Sequence, residues 1–94
     1  MKIIQSRSFE RKVRRFKKRE KKLLDKQILK IQENPSIGKE KKGDLRGVFV
    51  HKFIIQNIQY LLSYRFIRTH LELIMIGPRE NYYRDLKLYL KTRK

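Results

Sequence analysis

The 94-residue sequence contains no cysteine, which excludes disulfide bonds, zinc–thiolate sites and cysteine nucleophiles. It also has no apolar run that approaches the ~18–20 residues needed to cross a membrane. The first twelve residues, MKIIQSRSFERK, become charged after only a few residues and lack the apolar segment of a secretory signal. These absences predict a cytoplasmic protein that does not bind a membrane.

Acidic residues are scarce, because nine Asp and Glu stand against 26 Lys and Arg, for a formal net charge of +17. A folded surface so unbalanced repels itself, and it is expected where the usual partner is a polyanion. Nucleic acid, the ribosome and an acidic protein segment all meet that description. The length predicts a single domain, residues 1–94, with one core and no deep substrate cavity.

Two helices are predicted in the N-terminal third, from apolar residues at helical spacing in two stripes. The stripes are Phe9, Val13 and Phe16, then Leu24, Ile28 and Ile31. Charged residues 17–22 lie between the stripes and favour two antiparallel helices, with a polar turn near residues 18–21. Asn34-Pro35 ends the second helix, because proline disfavours helical geometry in the residue before it. Residues 1–4 look like a short strand, Ser6 or Ser8 can cap the first helix, and residues 36–47 form a polar loop.

After Gly47 the apolar period changes to two, which predicts strands at residues 48–56, 59–66 and 71–76. Turns are expected at residues 56–57 and 68–70, so the strands form an antiparallel meander. In the middle strand, the face of Tyr60, Leu62, Tyr64 and Phe66 is assigned to the core. The face of Leu61, Ser63 and Arg65 is expected to be more open. Asn81 can cap a short C-terminal helix whose apolar edge is Leu86 and Leu90.

Three segments in the second half of the chain together resemble the RelE/ParE superfamily of bacterial type II toxin–antitoxin toxins. They are the LRG turn at residues 45–47, the Y-x-x-x-Y segment at residues 60–64, and residues 76–86. The resemblance implies an α+β fold, in which two N-terminal antiparallel helices pack on a twisted antiparallel sheet of about four strands, followed by a short C-terminal helix. It also implies a cognate acidic antitoxin, with a monomeric free toxin and a toxin–antitoxin hetero-oligomer.

The RelE branch implies ribosome-dependent mRNA cleavage, in which the ribose 2′-hydroxyl attacks the adjacent phosphate. Positioned Arg, Lys, His or Tyr side chains can perform this reaction, so neither a metal nor a cofactor is expected. By the resemblance, Arg79 takes the position after the last strand that holds Arg or His. Tyr83, with Tyr82 as its competitor, takes a position where some members carry a functional Tyr or Phe. Lys52 and His51 lie near the catalytic lysines of RelE, and at most one of them faces the site.

The chain departs from RelE at two positions of the implied site. Leu61 stands where RelE has a catalytic arginine, and Ile54 stands where it has a second lysine. Arg65, on the same strand face as Leu61 and roughly 13 Å away, is a candidate substitute. The departures predict slow cleavage, which Leu61→Arg raises if that side chain points into the site. They also leave two alternatives open: a ParE-like inhibitor of DNA gyrase, and an RNA-binding module without catalysis.

A cationic run places nine Lys or Arg among residues 11–22. Such a run is commonly a solvated helix face. Beside an RNA site it serves to dock ribosomal RNA, because each phosphate contact releases counterions. The predicted RNA-binding residues are Arg11, Arg14, Arg15, Lys17, Lys18, Lys21, Lys22 and Arg46.

Overall fold

The computed structural model describes residues 2–92 and has the α+β architecture that the sequence predicts. Its elements are β1 (Lys2–Gln5), α1 (Arg7–Arg14), α2 (Lys18–Glu33), β2 (Lys39–Glu40), β3 (Phe49–Ile55), β4 (Ile58–Ile67), β5 (His70–Pro78) and α3 (Tyr82–Thr92). Single 3₁₀ turns at Pro35–Ile37 and Gly43–Leu45 flank β2. The strands form one sheet in the order β1-β5-β4-β3-β2.

The sheet differs from the expected antiparallel sheet of about four strands at both of its edges. β1 pairs with β5 in parallel, from Lys2 opposite His70 to Gln5 opposite Leu73, so the sheet is mixed and five-stranded within the described residues. β2 pairs with β3 inside the segment predicted as a loop. β2 has only two residues, which are too few to show a period of two in the sequence. The parallel direction of β1 is set only when β1 meets β5. Met1 of the predicted first strand lies outside the described residues.

The two N-terminal helices are confirmed, but the break between them lies earlier than the predicted turn at residues 18–21. Phe16 lies in this break, so the prediction that it belongs to a helix is wrong. Its side chain is still buried, so its assignment to the core is confirmed. The carboxylate of Glu20 accepts the backbone N–H of Lys17 (2.7 Å) and starts α2 within the cationic run. Ser6 caps α1 by accepting from the N–H of Phe9 (3.1 Å), and its hydroxyl donates to the carbonyl of Ile74.

Helices cover both faces of the sheet. α1 and α2 enclose a first core cluster with Leu62 and Tyr64 of β4, while α3 encloses a second cluster with Leu61 and Ile74. The expectation that the Leu61 and Ser63 face is more open is therefore wrong, because both side chains are fully buried. Alternation along β4 does divide Leu62 and Tyr64 from Leu61, although Phe66 of the predicted core face is 37% exposed. What it could not show is that α3 folds back onto the second face.

The hairpin turns bring the three long strands into register. Gln56 and Asn57 both have left-handed φ angles, 50° and 67°, which confirms the predicted two-residue turn between β3 and β4. The next turn is one residue shorter than predicted, since His70 already belongs to β5. A bulge between β4 and β5 leaves Ile74 as the extra residue. β5 then continues to Pro78, beside the start of α3.

Candidate functional site

Lys52 is exposed at the open end of the sheet face that α3 covers. It pairs with Leu61 of β4, and Leu61 pairs with Gly77 of β5, so the three residues form one row across the sheet. Two strand spacings put the backbones of Lys52 and Gly77 about 10 Å apart. Of the two neighbouring candidates on β3, Lys52 is thus the one that shares a face with α3.

Arg79 follows β5 directly and lies at the same end of the sheet as Lys52. Its backbone N–H donates to the carbonyl of Gln59 (3.3 Å), two rows beyond Lys52. The residue is exposed, and neither of the ion pairs recorded within residues 2–92 involves its guanidinium. A planar guanidinium that is not held by a carboxylate can bind two phosphate oxygens at once.

The neighbouring tyrosines at the start of α3 have different surroundings. The hydroxyl of Tyr82 lies 2.7 Å from the carbonyl of Met75 and 2.8 Å from Oγ of Ser63, and its side chain is buried. Burial raises the pKa of the Tyr82 phenol, so its hydroxyl remains a hydrogen-bond donor. Tyr83 is only half-buried, and Nζ of Lys41 lies 4.8 Å from the centroid of its ring. Tyr83 is therefore the tyrosine that can reach a ligand.

His51 lies on the opposite face of the sheet from Lys52, and Arg65 lies farther along β4. Nε2 of His51 donates to Oε1 of Gln27 in α2 (2.8 Å), on the opposite face of the sheet. Burial, together with the charge of Lys30, lowers the pKa of His51. Arg65 lies near the other end of β4, where its Nε is 2.7 Å from Oε1 of Glu72. The structure therefore places Lys52 and Arg79 at one end of the sheet, with Tyr83 at the start of α3 four residues after Arg79, and it separates His51 and Arg65 from them.

The two departures from RelE have different structural consequences. Leu61 is fully buried in the second core cluster, so its side chain does not point into an open site. The condition for a gain from Leu61→Arg is thus not met, because the new guanidinium would have to enter the core. Ile54, by contrast, is 67% exposed and lies in the same row as Gln59. It presents apolar surface in the row of the sheet that Arg79 continues, with Gln59 of β4 between them.

The predicted RNA-binding cations lie mainly on the other side of the molecule. Seven belong to α1, α2 or the break between them, and Arg46 follows the second 3₁₀ turn; all are exposed. Two of them also reach the edge of the sheet. A cleft of about 390 Å³ is lined by Arg11 and Arg15 on one side and by Pro78, Glu80 and Tyr82 on the other. The cationic helices and the Arg79 end of the sheet are thus joined around the edge of β5.

Lys41 was not predicted as a site residue, although it contacts Tyr83 directly. Its segment looked like a polar loop, and one lysine among several carries no spacing signal. Within residues 2–92, no group of three or more His, Asp or Glu side chains could hold a metal ion. No helix of the described chain is both long and apolar enough to span a membrane.

Comparison with known families identifies the group of proteins to which the chain is similar. The model of the family described as "ParE-like toxin of type II bacterial toxin-antitoxin system" matches residues 3–87, which is most of the chain. No curated protein matches the sequence. Because the match spans both N-terminal helices, the whole sheet and the start of α3, the chain belongs to the ParE-like toxins of type II bacterial toxin–antitoxin systems.

Proposed function

We propose that this toxin inhibits translation by cutting mRNA on the ribosome. The observation that supports the proposal is the position of Lys52 and Arg79 at one end of the sheet, with Tyr83 at the start of α3 four residues after Arg79. Two cationic side chains and one aromatic ring suit a phosphodiester and the base next to it. Membership of the family implies an antitoxin partner. The ribosome and mRNA are the targets that we propose.

The proposed reaction needs only side-chain chemistry. The 2′-hydroxyl gives its proton to water as its oxygen attacks the neighbouring phosphorus, the bond to the 5′ oxygen breaks, and that oxygen takes up a proton from water. This leaves a 2′,3′-cyclic phosphate and a 5′-hydroxyl end. Arg79 neutralises the charge that develops on the phosphorane, and Lys52 adds a second positive charge near the leaving oxygen. Tyr83 orients the nucleotide by stacking on a base.

We assign ribosome docking to the cationic helices and not to the cleavage site. Their exposed lysines and arginines can contact several phosphates, while the Arg79 end of the sheet reaches the mRNA around the edge of β5. An acidic antitoxin would bind the same surfaces through charge complementarity. The free toxin is then a cytoplasmic monomer, and the complex with antitoxin is a hetero-oligomer.

A second candidate function is inhibition of DNA gyrase, as in the ParE branch. The burial of Leu61 favours it, because the position of a RelE catalytic arginine is occupied here by a core residue. Gyrase inhibition needs the fold and the charge but no nuclease site. The two functions predict different damage: cut messages for the first, and broken DNA with an SOS response for the second.

The deciding experiment is induced expression followed by mapping of mRNA 5′ ends and of DNA breaks. We expect discrete cuts within the codons of translated messages and none in untranslated ones. Arg79→Ala should lower cleavage by about 10²–10³-fold, the usual loss for one oxyanion contact. Lys87→Ala, which removes an exposed cation of α3 outside the cationic helices, is the control for the loss of one charge. Intact mRNA beside broken DNA would support gyrase inhibition instead.

A further inference from the structure

Lys41 occupies one face of the Tyr83 ring. Its Nζ atom lies 4.8 Å from the ring centroid, within the ~6 Å limit of a cation–π contact. The same ring meets Tyr82 in a T-shaped contact, with centroids 5.8 Å apart and planes at 88°. Because Tyr82 is anchored in the core, it holds the Tyr83 ring in place. Lys41 therefore covers an aromatic face whose orientation is already set.

The backbone of Lys41 is fixed independently of this side-chain contact. Its N–H donates to the carbonyl of Val48 (2.9 Å), and Leu45 of the same loop is buried in the second core cluster. Gly43 and Gly47 have φ angles of +68° and +87°, which let the chain return within a few residues. The ammonium group can thus leave the ring and meet a ligand while its backbone stays in place.

The ammonium group of Lys41 and the ring of Tyr83 together fit one nucleotide of single-stranded RNA. A base can stack on the ring face that the ammonium now covers, since base–aromatic stacking accepts every base. The displaced ammonium then stays close to the phosphate of that nucleotide.

We propose that Lys41 is a further RNA-binding residue, which contacts the phosphate of the nucleotide whose base stacks on Tyr83. This inference rests on the proposed mRNA cleavage. Lys41 is not among the residues of the proposed cleavage site, and it lies in the loop before β3. Lys41 acts on mRNA already held at the site, whereas the cationic helices act on ribosome association.

The test is single-turnover mRNA cleavage by toxin already bound to programmed ribosomes. Lys41→Gln should slow cleavage about tenfold or more, the loss expected for one charge-assisted contact. Lys42→Gln removes the same charge from the adjacent exposed residue, which is in extended backbone and points elsewhere. It should cleave like the wild type. Lys41→Arg should retain most of the rate, because a guanidinium binds phosphate and stacks on aromatic rings.

A second readout separates binding from a structural role. Affinity for a short single-stranded RNA, measured over a salt series, should lose about 0.7 from its log–log slope in Lys41→Gln and nothing in Lys42→Gln. With an abasic nucleotide at the cleavage position, Tyr83→Ala should have no further effect, while Lys41→Gln should still weaken binding. Thermal unfolding should be the same in both glutamine variants.

Equal cleavage rates and salt slopes in Lys41→Gln and Lys42→Gln overturn the inference. So does a Lys41→Gln protein that loses antitoxin affinity but keeps its cleavage rate, since the ammonium would then serve an acidic peptide. Failure of the proposed function gives a different result. In that case the wild type itself makes no cuts on the ribosome, and the assignment of Lys41 to RNA fails with it.

Discussion

The two adjacent tyrosines of α3 should differ in how much their replacement by Phe lowers the stability of the fold. Tyr82→Phe removes a buried hydroxyl that bonds to Met75 and Ser63, so it should weaken the docking of α3 on the sheet. Tyr83→Phe removes a half-exposed hydroxyl for which no hydrogen bond is recorded within residues 2–92. The first change therefore affects stability, and the second leaves stability almost unchanged.

The magnitude follows from what remains when the Tyr82 hydroxyl is lost. Oγ of Ser63 still lies 3.3 Å from the carbonyl of Met75, so that carbonyl keeps one donor. The cost should then be near the lower end of the range for an unsatisfied buried group, about 1–2 kcal/mol. For a domain of this size, that lowers the Tm by roughly 4–16 °C. Tyr83→Phe should stay within about 0.5 kcal/mol of the wild type.

Thermal unfolding followed by circular dichroism measures the first effect, and mRNA cleavage well below the Tm measures the second. Tyr82→Phe should cleave like the wild type once folded. Tyr83→Ala should lose activity, because the stacking surface is gone; base–aromatic stacking contributes about 1–3 kcal/mol. Equal Tm values for Tyr82→Phe and Tyr83→Phe would refute the structural role of Tyr82. Full cleavage by a folded Tyr83→Ala protein would refute the functional role of Tyr83.

Three further predictions concern other parts of the molecule. Gly38→Ala should lower the free energy of unfolding by about 1–3 kcal/mol in urea titrations, since its Cβ would lie 2.5 Å from the Tyr64 hydroxyl. Stability should fall as the pH drops from about 7 through 6, because the pKa of His51 is lowered in the folded state and the unfolded chain binds more protons. Denaturation at several pH values checks this, and His51→Gln should flatten the dependence. Replacing Arg14, Lys17, Lys18 and Lys21 by Gln should weaken ribosome association and lower its log–log salt slope by about 0.7–0.9 per lost phosphate contact. An unchanged slope in that variant would mean that these cations are only solvated.

The order and type of most elements could be predicted from the sequence. A period near 3.6 identified the two N-terminal helices, and a period of two identified β3, β4 and β5. Each pattern arises within one segment, where a side chain either meets the core or meets water. The resemblance to RelE/ParE toxins could be recognised for a similar reason, because its residues lie in short, ordered segments. The match of a ParE-like toxin family model to residues 3–87 confirms it.

The features of the fold that the sequence did not predict depend on contacts between distant segments. The parallel pairing of β1 with β5 brings together residues almost 70 positions apart, such as Lys2 and His70. The return of α3 onto the sheet buries Leu61, which alternation along β4 had assigned to the more open face. The same return sets Tyr83 against Lys41, while Arg65 pairs with Glu72 near the other end of β4. The sequence by itself determined which residues alternate, repeat and carry charge. Which of them meet was decided only by long-range packing, because periodicity describes the faces of an element and not what covers them.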